Sequence, residues 1–232
     1  MIETTAERAL KKVIIIGSGG HAKVLADIVL GQKDRYELLG FVDSDGAKWG
    51  AEIFGSPVLG GDERVFGDSP SSFFLINGIG STGETRKRAA IFECFKSKGF
   101  IFCNVISDFS YLSEQTAYGE GLQLISGGVI HPGCRLGSNV LVNTGASIDH
   151  DCVIGDNAHI APGATLSGGV SVGEGAHIGS GATVIQGVSI GAGALVAAGA
   201  VVVSDVERNA TVAGVPAKSI STYDKMTDKN DR

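Results

Sequence analysis

From residue 106 onward the chain keeps an apolar residue at every sixth position. The register runs Ile106, Leu112, Tyr118, Leu124, Ile130, Leu136, Val142, Ile148, Ile154, Ile160, Leu166, Val172, Ile178, Val184, Ile190, Val196 and Val202, seventeen places with no polar side chain among them. A second six-residue register steps from Gly121 to Asp205. It holds eleven glycines, and its other four places are Asn139, Asp151, Asn157 and Asp205. These are the residue types that accept positive φ at least cost. A short strand, a sharp turn and one inward aliphatic per six residues describe one side of a triangular coil. Three such hexads close a coil, so equivalent slots stack every eighteen residues and the aliphatics form the core. The slot two before the aliphatic is usually small (Ala146, Cys152, Ala158, Ala164, Ala176, Ala182, Ala194, Ala200), which suits a crowded corner. A β-sandwich would place turns every 8–12 residues or so, and the six-residue register excludes it. The segment holds about five coils, each touching only its neighbours. Val212 to Ile220 and the charged tail are expected to leave the prism at its end.

Residues 11 to 103 follow a different grammar. Lys12–Ile16 is a β-branched apolar run, Gly17-Ser18-Gly19-Gly20-His21 a tight loop, and Ala22–Leu30 carries helical apolar spacing at Val24, Leu25, Ile28 and Val29. Leu38–Val42 reads as a second strand ending at Asp43, Phe73–Ile76 as a third, and Glu84–Lys98 as a charged amphipathic helix. Strands alternating with helices imply a parallel sheet. The expected fold is therefore an α/β, Rossmann-like βαβ domain over 1–104, an all-β left-handed parallel β-helix of hexapeptide repeats over 105–220, and a charged C-terminal tail over 221–232.

Composition narrows the function. The net charge is −6 with no basic stripe, whereas nucleic-acid binding needs clustered Lys and Arg. The apolar stretches fall short of a membrane span. Met1 to Arg8 lack an apolar signal segment, so a cytoplasmic location is expected. Cys94, Cys103, Cys134 and Cys152 show neither CxxC nor metal-ligand spacing. They read as small buried hydrophobes in a reducing compartment, and no metal is expected.

Histidines are unusual inside such coils. His159 and His177 are eighteen residues apart, so they share a slot and should stack. His150 lies nine residues from His159, half a coil away, so the two occupy different parts of one prism. They could meet only across an interface between prisms. Asp149 and Asp151 flank His150. A carboxylate that accepts from Nδ1 fixes the tautomer and leaves Nε2 to take a proton. Taken alone, the same pattern also suits an exposed corner histidine with solvated neighbours, and His177 suits the core.

The ordered set Gly17-Ser-Gly-Gly-His21-Ala-Lys-Val24, Asp43, Asn143-Thr144, Asp149-His150-Asp151-Cys152-Val-Ile-Gly155, His159 and Gly214-Val-Pro-Ala-Lys218 resembles the NeuD/PglD-like sugar acetyltransferases of the hexapeptide acyltransferase superfamily. By pattern the resemblance is nearest to enzymes that N-acetylate a 4-amino sugar carried on a nucleotide diphosphate. It implies acetyl-CoA as co-substrate and a homotrimer with active sites between neighbouring prisms. It also implies His150 as general base oriented by Asp151, with Asn143 in the same site. His159, contributed by the adjacent subunit, would contact the acetyl-CoA end. The Gly168 amide would be the oxyanion donor, Ala197 and Ala198 would lie along the pantetheine, and Lys218 of the last motif would join the acetyl-CoA site. Cys152, in the small corner slot, reads as structural.

Gly17-x-Gly19-x-x-Ala22 with Asp43 downstream also meets the dinucleotide fingerprint, but the domain is small for a full dinucleotide site. The family likeness assigns the diphosphate to the loop Gly19, Gly20 and His21, with Gly17 and Ser18 in the same nucleotide-sugar site. It assigns the rest of a nucleotide sugar to Asp43 and Ser44, with Gly80 and Arg86 as weaker candidates. O-acetylation of a sialic-type or capsular sugar is the alternative within the class. A non-catalytic, nucleotide-sugar-binding β-helix is the alternative outside it.

Overall fold

The computed structural model describes residues 10–220. The expected tail, 221–232, lies outside the described residues. Contacts divide the chain into two compact units. One comprises residues up to Gly80 together with Ala90–Val105, and the other comprises Ser81–Ala89 together with the residues from Ile106. The division departs from a cut after residue 104 at segment 81–89, which groups with the repeats, and at Val105, which stays with the first unit.

The first unit is built on β1 (Lys11–Ile16), α1 (Gly20–Gly31), β2 (Tyr36–Val42), β3 (Glu52–Ile53), β4 (Ser56–Gly60), α2 (Glu63–Phe66), β5 (Phe74–Asn77) and most of α3 (Arg86–Lys96). The sheet order is β3-β4-β2-β1-β5. β4, β2, β1 and β5 run parallel, and β3 pairs antiparallel with β4. β1 is buried on both faces, as its unbroken Val13-Ile14-Ile15-Ile16 run requires. Ile14 and Ile16 join Val65, Phe73, Phe92, Phe95, Phe100 and Phe102 in one cluster. Leu25, Ala26, Ile28 and Val29 form the buried face of α1. The sequence reading missed β3, β4 and α2, which are short and carry no clear periodicity.

The hexads form seventeen two-residue strands, from Val105–Ile106 to Val201–Val202, all but Val105 in the second unit. They stack into three sheets. Pairings such as Val129 with Ser147 and His159 with His177 keep the eighteen-residue step. The aliphatic ladder from Leu124 to Val202 is buried throughout, and so are the small corner residues from Ala146 to Ala200. The turn slots take positive φ, including Asn139, Asp151 and Asn157.

The last coil corrects the register. Ile190 bridges Val206, and Leu195 pairs with Thr211, each sixteen residues on. The six-residue step would have brought Arg208 beneath Ile190. Shortening the coil by two residues puts Val206 there instead. The left-handed turn falls at Asn209 (φ 57°), not at Asp205. Val212 does not leave the prism: it is buried in the core on the strand Thr211–Ala213, and the chain turns back only afterwards through Lys218–Ser219. Cys103, Cys134 and Cys152 are buried, but Cys94 is exposed on α3, contrary to expectation.

Candidate functional site

His150 stands at the corner after the strand Ser147–Ile148. Its amide donates to Asp149 Oδ1 at 2.7 Å, and its Nδ1 lies 2.9 Å from Asp151 Oδ2. A carboxylate only accepts, so Nδ1 carries the proton and Nε2 of the neutral ring keeps its lone pair. The side chain is 54% exposed. The hydrogen bond to Asp151, followed by the charge of Asp149, raises the pKa of His150 above its ordinary value. Asp151 occupies the left-handed turn slot (φ 61°). The corner is tied on both sides: Asp151 N–H donates to Pro132 O, and His150 O accepts from Gly169 N–H. Cys134 Sγ–H donates to Asp149 O at 3.1 Å. Burial pushes the Cys152 thiol up to about 11, which fits a structural role and not a nucleophile.

Gly168, one coil above His150, lies against the imidazole. A methyl group there would sit 2.6 Å from both Cε1 and Nε2. Among the described residues, none accepts from the Gly168 amide.

Asn143 and His159 form a second cluster, on another of the three sheets. Asn143 Oδ1 accepts from Thr144 N–H at 2.8 Å, and Nδ2 lies 3.2 Å from His159 Nε2. His159 Nδ1 lies 2.6 Å from Ser81 Oγ. His159 is buried, and its ring stacks edge-on against His177 at 4.7 Å. With both nitrogens engaged, His159 offers acetyl-CoA no ring nitrogen while Asn143 holds this orientation. The structure thus brings Asn143 to His159, while His150 is held by its own aspartates. His177 is a core residue, its pKa lowered by burial. Small residues follow Asn143 at eighteen-residue spacing, Ala161, Gly179 and Ala197, with Ala198 exposed beside Ala197. Lys218 is exposed on the last strand.

In the first unit, the candidate residues gather at the C-terminal ends of β1, β2 and β5, where the strand order reverses. Such switch points are where ligands bind in open α/β sheets. Gly17 has φ +87°, and a methyl group there would lie 2.8 Å from Ile79 Cδ1. A methyl group on Gly80 would lie 3.3 Å from His21 Cβ. The Gly17–His21 and Gly78–Gly80 turns therefore touch. Gly19 caps α1 without a side-chain bond, and Gly19 and Gly20 are exposed. The first amides of the helix can meet an anion.

Asp43 is occupied within the chain. Its carboxylate accepts from Ser18 N–H, Ser18 Oγ–H, Asp45 N–H and Lys48 Nζ. Burial pushes its pKa up, but these donors prevail and hold it at about 2. Asp43 is thus the organiser of its loop, with Lys48 as the adjoining cation and Ser44 exposed. Trp49 Nε1–H donates to Asp43 O at 2.8 Å. Arg86 belongs to the segment grouped with the repeats, exposed and paired with Glu84.

Sequence reasoning missed Ser81 and Thr85, which bond to repeat residues over long sequence separations, and Arg88 in the same segment. Thr85 Oγ1 donates to Gly175 O at 2.7 Å. Arg88 is fully buried, and burial lowers its pKa to about 9. Among the described residues, no helix is long and apolar enough to cross a membrane.

Comparison with known proteins bears on this arrangement. Residues 12–94 match the PglD N-terminal domain, and residues 127–168 match the bacterial transferase hexapeptide (six repeats). No curated protein matches the chain. Among solved structures, it is similar to the acetyltransferase domain of PglB from Neisseria gonorrhoeae FA1090 in complex with acetyl coenzyme A. The identity is 35%, over 91% of this chain and 100% of that one, with a TM-score of 0.82. It is similar to PerB from Caulobacter crescentus in complex with CoA and GDP-perosamine, at 36% identity over 92% and 99%, with a TM-score of 0.83. WeeI from Acinetobacter baumannii AYE is 25% identical over 90% and 100%, with a TM-score of 0.75. The parallel coils are thus those of a left-handed hexapeptide β-helix, and the chain belongs to the NeuD/PglD-like sugar acetyltransferases, a family of acyltransferases.

Proposed function

We propose that this protein transfers the acetyl group of acetyl-CoA to the 4-amino group of an amino sugar linked to UDP or GDP. The observation that carries the reading is the His150–Asp151 pair. Asp151 holds the proton on Nδ1, so Nε2 is the base, and it faces the side cleared by Gly168. His150 Nε2 takes a proton as the sugar amine attacks the thioester carbonyl. The Gly168 N–H donates to the carbonyl oxygen as charge develops there, in the manner of an oxyanion hole. The thiolate of CoA leaves directly, without an acyl-enzyme, since Cys152 is buried with its thiol pushed up.

The small residues beyond Asn143, with Ala197 and Ala198, fit an extended pantetheine, and Lys218 fits its phosphates. His159 supports this end of the site. His150 and His159 lie on different sheets of one prism, so their cooperation requires adjacent subunits of a homotrimer. Gly17, Ser18, Gly19, Gly20 and His21 would bind the diphosphate at the N-terminus of α1. Lys48 and Ser44, set by Asp43, would meet the nucleoside side, with Gly80 beside His21 at the edge. The assignment is supported by PerB, which was solved with CoA and GDP-perosamine. A cytoplasmic location follows from these substrates. O-acetylation of a related sugar would use the same residues.

The test is thiol release from acetyl-CoA across a panel of UDP- and GDP-linked amino sugars, with the product analysed by mass spectrometry. Release with a nucleotide 4-amino sugar and formation of an amide are expected. Release only with hydroxyl acceptors, giving an ester, would overturn the amine assignment.

A further inference from the structure

Ser81 lies outside every motif of the sequence, yet it touches the Asn143–His159 cluster. Its Oγ is 2.6 Å from His159 Nδ1. The donors and acceptors around that ring leave one consistent assignment. Asn143 Oδ1 accepts from the Thr144 amide at 2.8 Å, which fixes the side-chain amide so that Nδ2 faces His159 Nε2. An amide nitrogen only donates. His159 Nε2 must therefore offer its lone pair, and the ring proton sits on Nδ1, donated to Ser81 Oγ. The ring is 3% exposed and is held edge-on by His177. Ser81 is itself fixed by its segment. Thr85 is bonded to Gly175 O, next to the strand that carries His177, and Gly83 lies against Leu195.

We propose that Ser81 is a positioning residue for acyl transfer. It holds His159 as the Nδ1–H tautomer, and the Nε2 lone pair then anchors one N–H of Asn143. The second N–H of Asn143 stays aimed at the reacting groups. The inference rests on the reading that Asn143 faces those groups. Without the Ser81 hydroxyl, the ring can place its proton on Nε2. Two donors then face each other and the Asn143 amide loses its anchor.

The experiment compares Ser81→Ala, Ser81→Thr and Asn143→Ala in the full-length protein, with kcat and KM measured for acetyl-CoA and the sugar acceptor. The ¹⁵N spectrum of the His159 ring is recorded alongside. Ser81→Ala should lower kcat about tenfold while leaving both KM values nearly unchanged, in line with the cost of a small misplacement. The Nδ1–H signal of His159 should give way in part to Nε2–H. Ser81→Thr, which keeps the hydroxyl, should restore both. Normal kcat in Ser81→Ala, an unchanged tautomer, or a loss that threonine does not restore would overturn the proposal. Asn143→Ala separates the two levels. If it turns over normally, the site reading itself fails and the relay with it. If it is crippled while Ser81→Ala is normal, only the relay fails.

Discussion

Gly168 stacks one coil above His150 with its Cα against the imidazole, leaving no room for a side chain beside Nε2. Replacing Gly168 with alanine should push the ring off its position. Displacements of about 1 Å at a reacting group cost on the order of 100-fold in rate. Gly168→Ala should therefore lower kcat about 100-fold. The backbone at 168 is not in the left-handed region, so the melting temperature should change little. Steady-state kinetics and a thermal melt check the pair of outcomes.

Asp151 raises the pKa of His150, and a base must be neutral to act. The acid limb of kcat/KM should therefore lie above the ordinary histidine value of 6.5. Asparagine keeps the turn, as Asn157 does at φ 61° in the same register, but it withdraws the charge. Asp151→Asn should move the limb to lower pH and depress the plateau. A pH–rate profile with the limb unmoved would break the link between the two residues.

Asp43 is held at about 2 in the folded chain, against 3.8 ordinarily. A depressed carboxylate stabilises the fold above its unfolded pKa, and the stabilisation is lost as pH falls through the folded one. Asp43→Asn should cost about 2 kcal/mol near neutrality. The difference from the unsubstituted protein should close between about pH 4 and pH 2. Denaturant unfolding at several pH values measures it.

Glycines in the prism serve two ends. Gly155 belongs to the eighteen-residue series Gly119, Gly137, Gly155, Gly173 and Gly191, and a methyl group on it would lie 2.5 Å from Glu174 N in the next coil. Gly181 has φ +66° but open space around it. Gly181→Ala should cost about 1–2 kcal/mol through its backbone conformation. Gly155→Ala must push neighbouring coils apart and should cost more, about 3 kcal/mol or above. Equal effects in chemical denaturation would contradict this distinction.

The repeat was legible because burial and turn chemistry each impose the same six-residue step. Its last coil was not. Val202 and Asp205 satisfy both registers by residue type, and only the pairings of Ile190 with Val206 and of Leu195 with Thr211 reveal the two missing residues. The His150 corner was legible for a local reason: its partners are the neighbours Asp149 and Asp151. The Ser81–His159 contact spans 78 residues and leaves no periodic trace. Asp43 was located, but its bonds to Ser18 and Lys48 were not legible, because they depend on how the β1 and β2 loops meet.

The proposed acyl transfer stands on His150 as its base. Its most direct test is single-turnover transfer in His150→Ala beside the unsubstituted protein, both saturated with acetyl-CoA and a nucleotide 4-amino sugar. The rate in the variant should be at least about 100-fold lower, the usual contribution of a general base, with acetyl-CoA binding retained. A variant that transfers acetyl at the unsubstituted rate would contradict it.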